Sequence, residues 1–154
     1  MDKNTTLIEE YQAQSKAAKD ELVRLMRERE QALAAVTEQA RRLSDCAWAD
    51  YFDRLNALKA QKRAVHGRRK FYLDHTTDTA EVKEAHYLEY TDAISDIDRQ
   101  MTDLRGDYQS KVRQIADDRK NDYQRTARMH DWKIHDQEAI IRALRDAYLK
   151  RLEY

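Results

Sequence analysis

The side chains that could do chemistry are five histidines, one cysteine and a short run of cations. His130 and His135 are five apart, so a helix does not align them, and neither His-x-x-x-His nor the Glu-x-x-His repeat of carboxylate-bridged metal bundles occurs. Asp131 and His135, four apart, read more simply as a local helical pair. His75 could ligate a metal with Asp74 and Asp78, but this short segment offers no further closely spaced ligands. Cys46 has no nearby histidine along its helix to act as base, which a cysteine nucleophile requires. No glycine-rich phosphate loop and no serine nucleophile elbow is present. The chain is therefore expected to be non-enzymatic, with no metal and no cofactor.

A second chemistry is open to Arg68, Arg69 and Lys70, with Phe71 and Tyr72 beside them. Cations can grip phosphates while an aromatic ring stacks on a base. They end a run from Lys59 to Lys70 that holds no acid. The whole chain balances 29 basic against 29 acidic residues, and nucleic-acid binders usually show an uncompensated basic footprint. Nucleic-acid binding through this run is the alternative reading, and pairing of the run within the chain is the simpler one.

The aromatics point elsewhere. Nine tyrosines, two tryptophans and two phenylalanines are many for a chain whose Leu, Ile, Val and Phe number only 27. Trp48 and Phe52 lie on a flank at four-residue spacing, and Tyr87 and Trp132 fall slightly off the best apolar stripe. Interfaces concentrate Trp, Tyr and Arg at their centres, so these four are candidate protein contacts. Leu7 and Ile8, with Tyr148, Leu149 and Leu152, would meet if the chain folded back on itself. That apolar end is a second candidate contact. The expected partner is another protein, a second copy, or both.

The elements that must position these residues are helical. With no proline and two glycines, little interrupts a helix. Tyr11, Ala18, Leu22, Leu25, Leu33, Val36, Ala40, Leu43 and Ala47 recur at steps of three, four or seven once polar Arg29 takes the seam position between Leu25 and Leu33. Tyr51 and Leu55 follow at two steps of four, a stutter in the heptad rhythm, before Leu58 and Val65 resume it. Tyr90, Ile94, Ile97, Met101, Leu104, Tyr108 and Ile115 form the clearest heptad run. The pattern then loosens through Tyr123, Met129, Ile134, Ile140 or Ile141, Leu144 and Tyr148. No alternating strand pattern competes.

The best break lies between Leu73 and Thr79, where Asp78 can cap a helix with Glu81 closing the capping box. This predicts one all-helical domain over residues 1–154, with arms at about 5–73 and 79–153 around a tip loop at about 74–78. Each arm would run roughly 105–110 Å at 1.5 Å per residue. Charge supports the pairing: residues 59–73 carry six cations and no acid, and residues 74–103 carry nine acids. Folding about Thr76 lays Lys70 near Val82 and Lys59 near Ala93, so the basic arm faces the acidic one.

The expected fold is all-α, a long antiparallel helical hairpin of coiled-coil type, alone or dimerised. Its rival is a compact four-helix bundle, which needs extra breaks near Ser44-Asp45 and Asp117-Asp118. In outline such a hairpin looks like the small coiled-coil stalks and chaperone escorts of bacterial flagellar and type III export machines. That likeness is one of architecture, carried by no motif, and would imply delivery to an export ATPase assembly. A phage-encoded scaffold or inhibitor would have a similar sequence. No apolar run suits a bilayer and the start does not read as a secretion signal. With a single cysteine, the expected setting is cytoplasmic, with no membrane partner.

Overall fold

The computed structural model describes residues 3–153. It is a helical hairpin: α1 spans Lys3–His75, α2 spans Ala80–Glu153, and residues 76–79 join them. The helices pack against each other, and no strand occurs among the described residues. Both run unbroken through Ser44-Asp45 and Asp117-Asp118, which sets aside the single-chain four-helix bundle. The arms begin and end within two residues of the predicted bounds.

The turn departs from expectation in its cap. Thr79, not Asp78, stands at the N-cap of α2: its hydroxyl accepts the Val82 N–H and its carbonyl the Lys83 N–H. Asp78 sits one residue outside the helix and accepts the Tyr72 hydroxyl at 2.8 Å. His75 closes α1, its Nδ1 lying 2.8 Å from the Phe71 carbonyl. A cation or donor in the last turn satisfies carbonyls that the helix leaves open.

Contacts divide the chain into two compact units, Met1–Ala40 with Asp117–Tyr154, and Arg41–Ala116. The first, which holds the termini, has a seam of Tyr11, Ser15, Ala18, Leu22, Leu25, Arg29, Leu33, Val36 and Ala40 on α1. Thr126, His130, Ile134, Gln137, Ile141, Leu144 and Tyr148 face them from α2. Tyr11 and Tyr148 stack with centroids 4.1 Å apart and planes 6° from parallel. The choice between Ile140 and Ile141 falls to Ile141, while Ile140, Tyr123 and Met129 turn outward. Polar residues replace them in the seam. The Gln137 amide donates to the Ala18 carbonyl at 2.9 Å, and Arg29 pairs with Asp131 at 2.8 Å.

The second unit holds the turn. On α1 its seam runs Ser44, Ala47, Tyr51, Leu55, Leu58, Lys62, Val65, Arg69 and Tyr72. On α2 it runs His86, Tyr90, Ile94, Ile97, Met101, Leu104, Tyr108, Val112 and Ile115. The stutter is present, with Ala47, Tyr51 and Leu55 all on the seam. Leu43 leaves the seam and Ser44 takes its level, because an earlier pair of four-residue steps runs Val36, Ala40, Ser44 before a step of three reaches Ala47. Lys62 pairs with Asp98 at 2.7 Å and Tyr72 stacks on His86. The fold-back therefore centres near Thr79, about three residues later than the middle of the expected tip loop. Lys59 comes level with Arg99 and Lys70 with Leu88, not with Ala93 and Val82.

Candidate functional site

The candidate contacts fall into three clusters, two in the turn unit and one in the unit with the termini. The first turn-unit cluster grows from Ala47, whose small side chain lets the helices approach closely and is itself buried. Beside it Tyr51 and Tyr108 stack across the pair, centroids 4.6 Å apart and planes 15° from parallel. Trp48 meets Tyr108 edge-on at 5.8 Å and lies over Phe52 at 6.0 Å. Offset and edge-to-face contacts of this kind stabilise beyond simple burial. Trp48 nevertheless remains 52% exposed and Phe52 48% exposed. The result is an ordered aromatic ledge with one side in solvent.

The second cluster stands beside the turn. Arg69 reaches across the seam, its Nη1 2.7 Å from Nδ1 of His86. Its guanidinium also lies 5.5–5.8 Å from the ring centroids of Tyr72, Tyr87 and Tyr90. Tyr72 stacks on His86 at 3.6 Å, and the Tyr90 hydroxyl bonds Nδ1 of His66. Arg69 and Tyr72, read from sequence as phosphate and base contacts, are thus committed within the chain. Arg68, Lys70 and Phe71 are exposed, with Phe71 stacked on His75. Of the basic run, Lys62 alone pairs with an acid across the seam, and no ion pair is seen for Lys59, Arg63, Arg68 or Lys70. Sequence reading missed this cluster because helical spacing brings His66, Arg69 and Tyr72 to one face without saying what stands opposite.

The third cluster lies in the unit that holds the termini. Leu7, Tyr11, Leu144 and Tyr148 line a cleft of about 200 Å³, edged by Glu10 and Arg151. Ile8, Leu149 and Leu152 are exposed nearby in sequence. Trp132 belongs to the same unit and is 71% exposed, the most open large apolar side chain among the described residues. His130 takes the opposite course: it is buried, and its Nδ1 has no hydrogen-bond partner.

The histidines do not converge. Among the described residues no group of three or more His, Cys, Asp or Glu is placed to hold a metal ion. His75 and Asp78 are each engaged elsewhere in the turn. The expected Asp131–His135 pair does not form, since Asp131 turns to Arg29 and His135 lies 3.9 Å from Glu138. Cys46 is exposed. The charged surface is mostly stitched along single helices: Arg24 bonds both Glu21 and Glu28. The hydrogen bond from Arg24 holds the Glu21 carboxyl below the usual carboxylate range and raises the Arg24 guanidinium in turn.

Among the described residues no helix is long and apolar enough to cross a membrane. Comparison with protein-family models, with curated proteins and with solved structures found no match to this chain.

Proposed function

We propose that this chain is a non-enzymatic helical protein-interaction module, serving as adaptor, stalk, scaffold or inhibitor through its helix faces and open end. The observation that carries the reading is the placement of its aromatics. Trp48, Phe52, Tyr87 and Trp132 stay 48–71% exposed, so contacts within the helix pair use only part of each ring. Exposed aromatic anchors rimmed by charge are what a partner protein buries most profitably. Leu7, Ile8, Tyr148 and Leu152 extend the apolar contact at the open end.

A photo-cross-linking amino acid at position 132 or 152, in the protein's own host, tests this. The expected result is a discrete adduct with another protein, weakened by an Ile8→Glu change for the probe at 152. Adducts no stronger than those from a probe at the exposed polar position Gln124 would overturn the reading.

A second reading rests on Lys59, Arg63, Arg68 and Lys70, exposed and without ion pairs, with Phe71 beside them. Nucleic-acid binding through them would weaken steeply with added salt and fall when Arg68 and Lys70 are neutralised. Binding that ignores both changes would sink it.

A further inference from the structure

We propose that the Trp48–Phe52 side of the turn unit docks an acidic polypeptide segment of a partner protein. Apolar side chains of that segment cover the aromatic ledge, and its carboxylates meet Lys59, Arg63, Lys70 and Arg105. The inference rests on the protein-interaction reading and deepens it by giving one face and the chemistry that fits it.

The two sides of the turn unit differ in charge. On one side Arg54 lines shallow grooves between the helices with Asp50, Asp103 and Asp107, so its charge is met within the chain. The other side starts at Trp48 and Phe52. Lys59 lies seven residues beyond Phe52, Arg63 four further and Lys70 seven further again, so all follow one flank of α1. On α2 that side carries Asp98 and Arg105, each one residue past the seam positions Ile97 and Leu104 and away from Asp103 and Asp107. Asp98 is used by Lys62 at 2.7 Å. Thr91, Ser95 and Thr102 make up the rest of the α2 flank between the levels of Phe52 and Lys70. Lys59, Arg63, Lys70 and Arg105 are exposed, and no ion pair is seen for any of them. Four uncompensated cations therefore run along this side from the ledge toward the turn.

This composition names the occupant. A partner that covers the half-exposed rings of Trp48 and Phe52 also crowds the cations beside them, and complementary charge is what such a contact requires. Trp48 is already held by Tyr108 and Phe52, so little ring freedom is lost on binding. From Phe52 to Lys70 the flank runs about 27 Å at 1.5 Å per residue, a length for one short segment. The chain as a whole has no net charge, so it offers a long polyanion no general attraction. A short acidic segment needs only the local cations, and its apolar residues use the ledge.

Trp132→Phe leaves Trp48 as the sole tryptophan, so its emission reports on this face alone. The probe is a random glutamate–tyrosine copolymer, compared with polyglutamate and with oligothymidylate, while circular dichroism checks that each variant stays helical. The copolymer should shift the Trp48 emission and bind at least about tenfold more tightly than polyglutamate, and Phe52→Ser should remove that preference. Lys59→Gln/Arg63→Gln should weaken the copolymer at least about tenfold. Arg54→Gln/Arg68→Gln, on the other side of the unit, should weaken it less than about twofold. A copolymer that does not bind, or equal losses from the two double changes, overturns the proposal. Tighter binding of oligothymidylate would give the face to nucleic acid, and a chain mass that halves on Phe52→Ser would give it to a second copy; either result overturns the acidic segment. Cross-links at 132 or 152 beside a silent Trp48 would strike this proposal and leave the wider protein-interaction reading standing.

Discussion

The Arg69 guanidinium donates a hydrogen bond to Nδ1 of His86 across the helix pair, at 2.7 Å, while three tyrosine rings surround it. This cation is a fastener for the turn. Partly exposed cation–π contacts contribute about 0.5–1 kcal/mol each and a hydrogen bond to a charged group about 1.5–3 kcal/mol, contributions that overlap on one guanidinium and shrink where solvent screens it. Arg69→Ala should therefore destabilise the turn unit by roughly 1–2 kcal/mol, read as faster amide exchange across residues 66–90. Arg69→Lys should rescue little, because an ammonium lacks the planar fork that stacks and donates together. In a double-mutant cycle with His86→Ala the coupling should be clearly nonzero, and an additive result would remove the fastener role.

How far the sequence foretold this unit depends on which helix a feature belongs to. The heptad run from Tyr90 to Ile115 and the stutter at Ala47, Tyr51 and Leu55 are properties of one helix, and both hold in the structure. The register between helices is a joint property, and folding about the middle of the expected tip loop placed it about three residues early. Surface ion pairs contribute too little to set register, and most of them close within one helix at spacings of three or four. Stacking of Tyr51 on Tyr108 and of Tyr72 on His86 fixes the level instead. The loosened pattern beyond Ile115 has a physical cause as well. Thr126, His130 and Gln137 occupy seam levels, so Tyr123, Met129 and Ile140 point outward and the apolar periodicity blurs.

His130 should be replaceable at a gain. Its ring is buried and Nδ1 lacks a partner, a burden of about 1–3 kcal/mol for an unsatisfied polar atom. His130→Leu keeps the volume and removes the polar atom, so it should raise the thermal midpoint by a few degrees. His130→Ala should lower it through the cavity left behind. A midpoint that falls with leucine as far as with alanine would mean the imidazole makes a needed contact.

Glu21 offers a titration with a definite sign. Its carboxyl is held below the ordinary carboxylate range, first by the hydrogen bond from Arg24. The stabilisation from this pair is present above the unfolded-state carboxylate pKa and is lost as pH falls through the lower folded value. Side-chain NMR should show Glu21 titrating at lower pH in the wild type than in Arg24→Gln. Coincident curves would remove the interaction. Solvent screening of this surface pair keeps its effect on the melting curve small.

Gly67 and Gly106 both lie inside helices at ordinary negative φ, and a methyl at either would meet nothing within 4 Å. Neither glycine is needed by its own backbone, and each costs helix propensity. Alanine at Gly67 should raise stability by roughly 0.5–1 kcal/mol, seen as a higher denaturant midpoint at unchanged slope. Alanine at Gly106 should give the same gain. A midpoint that falls with alanine at either position would mean that the added methyl meets a neighbour after all.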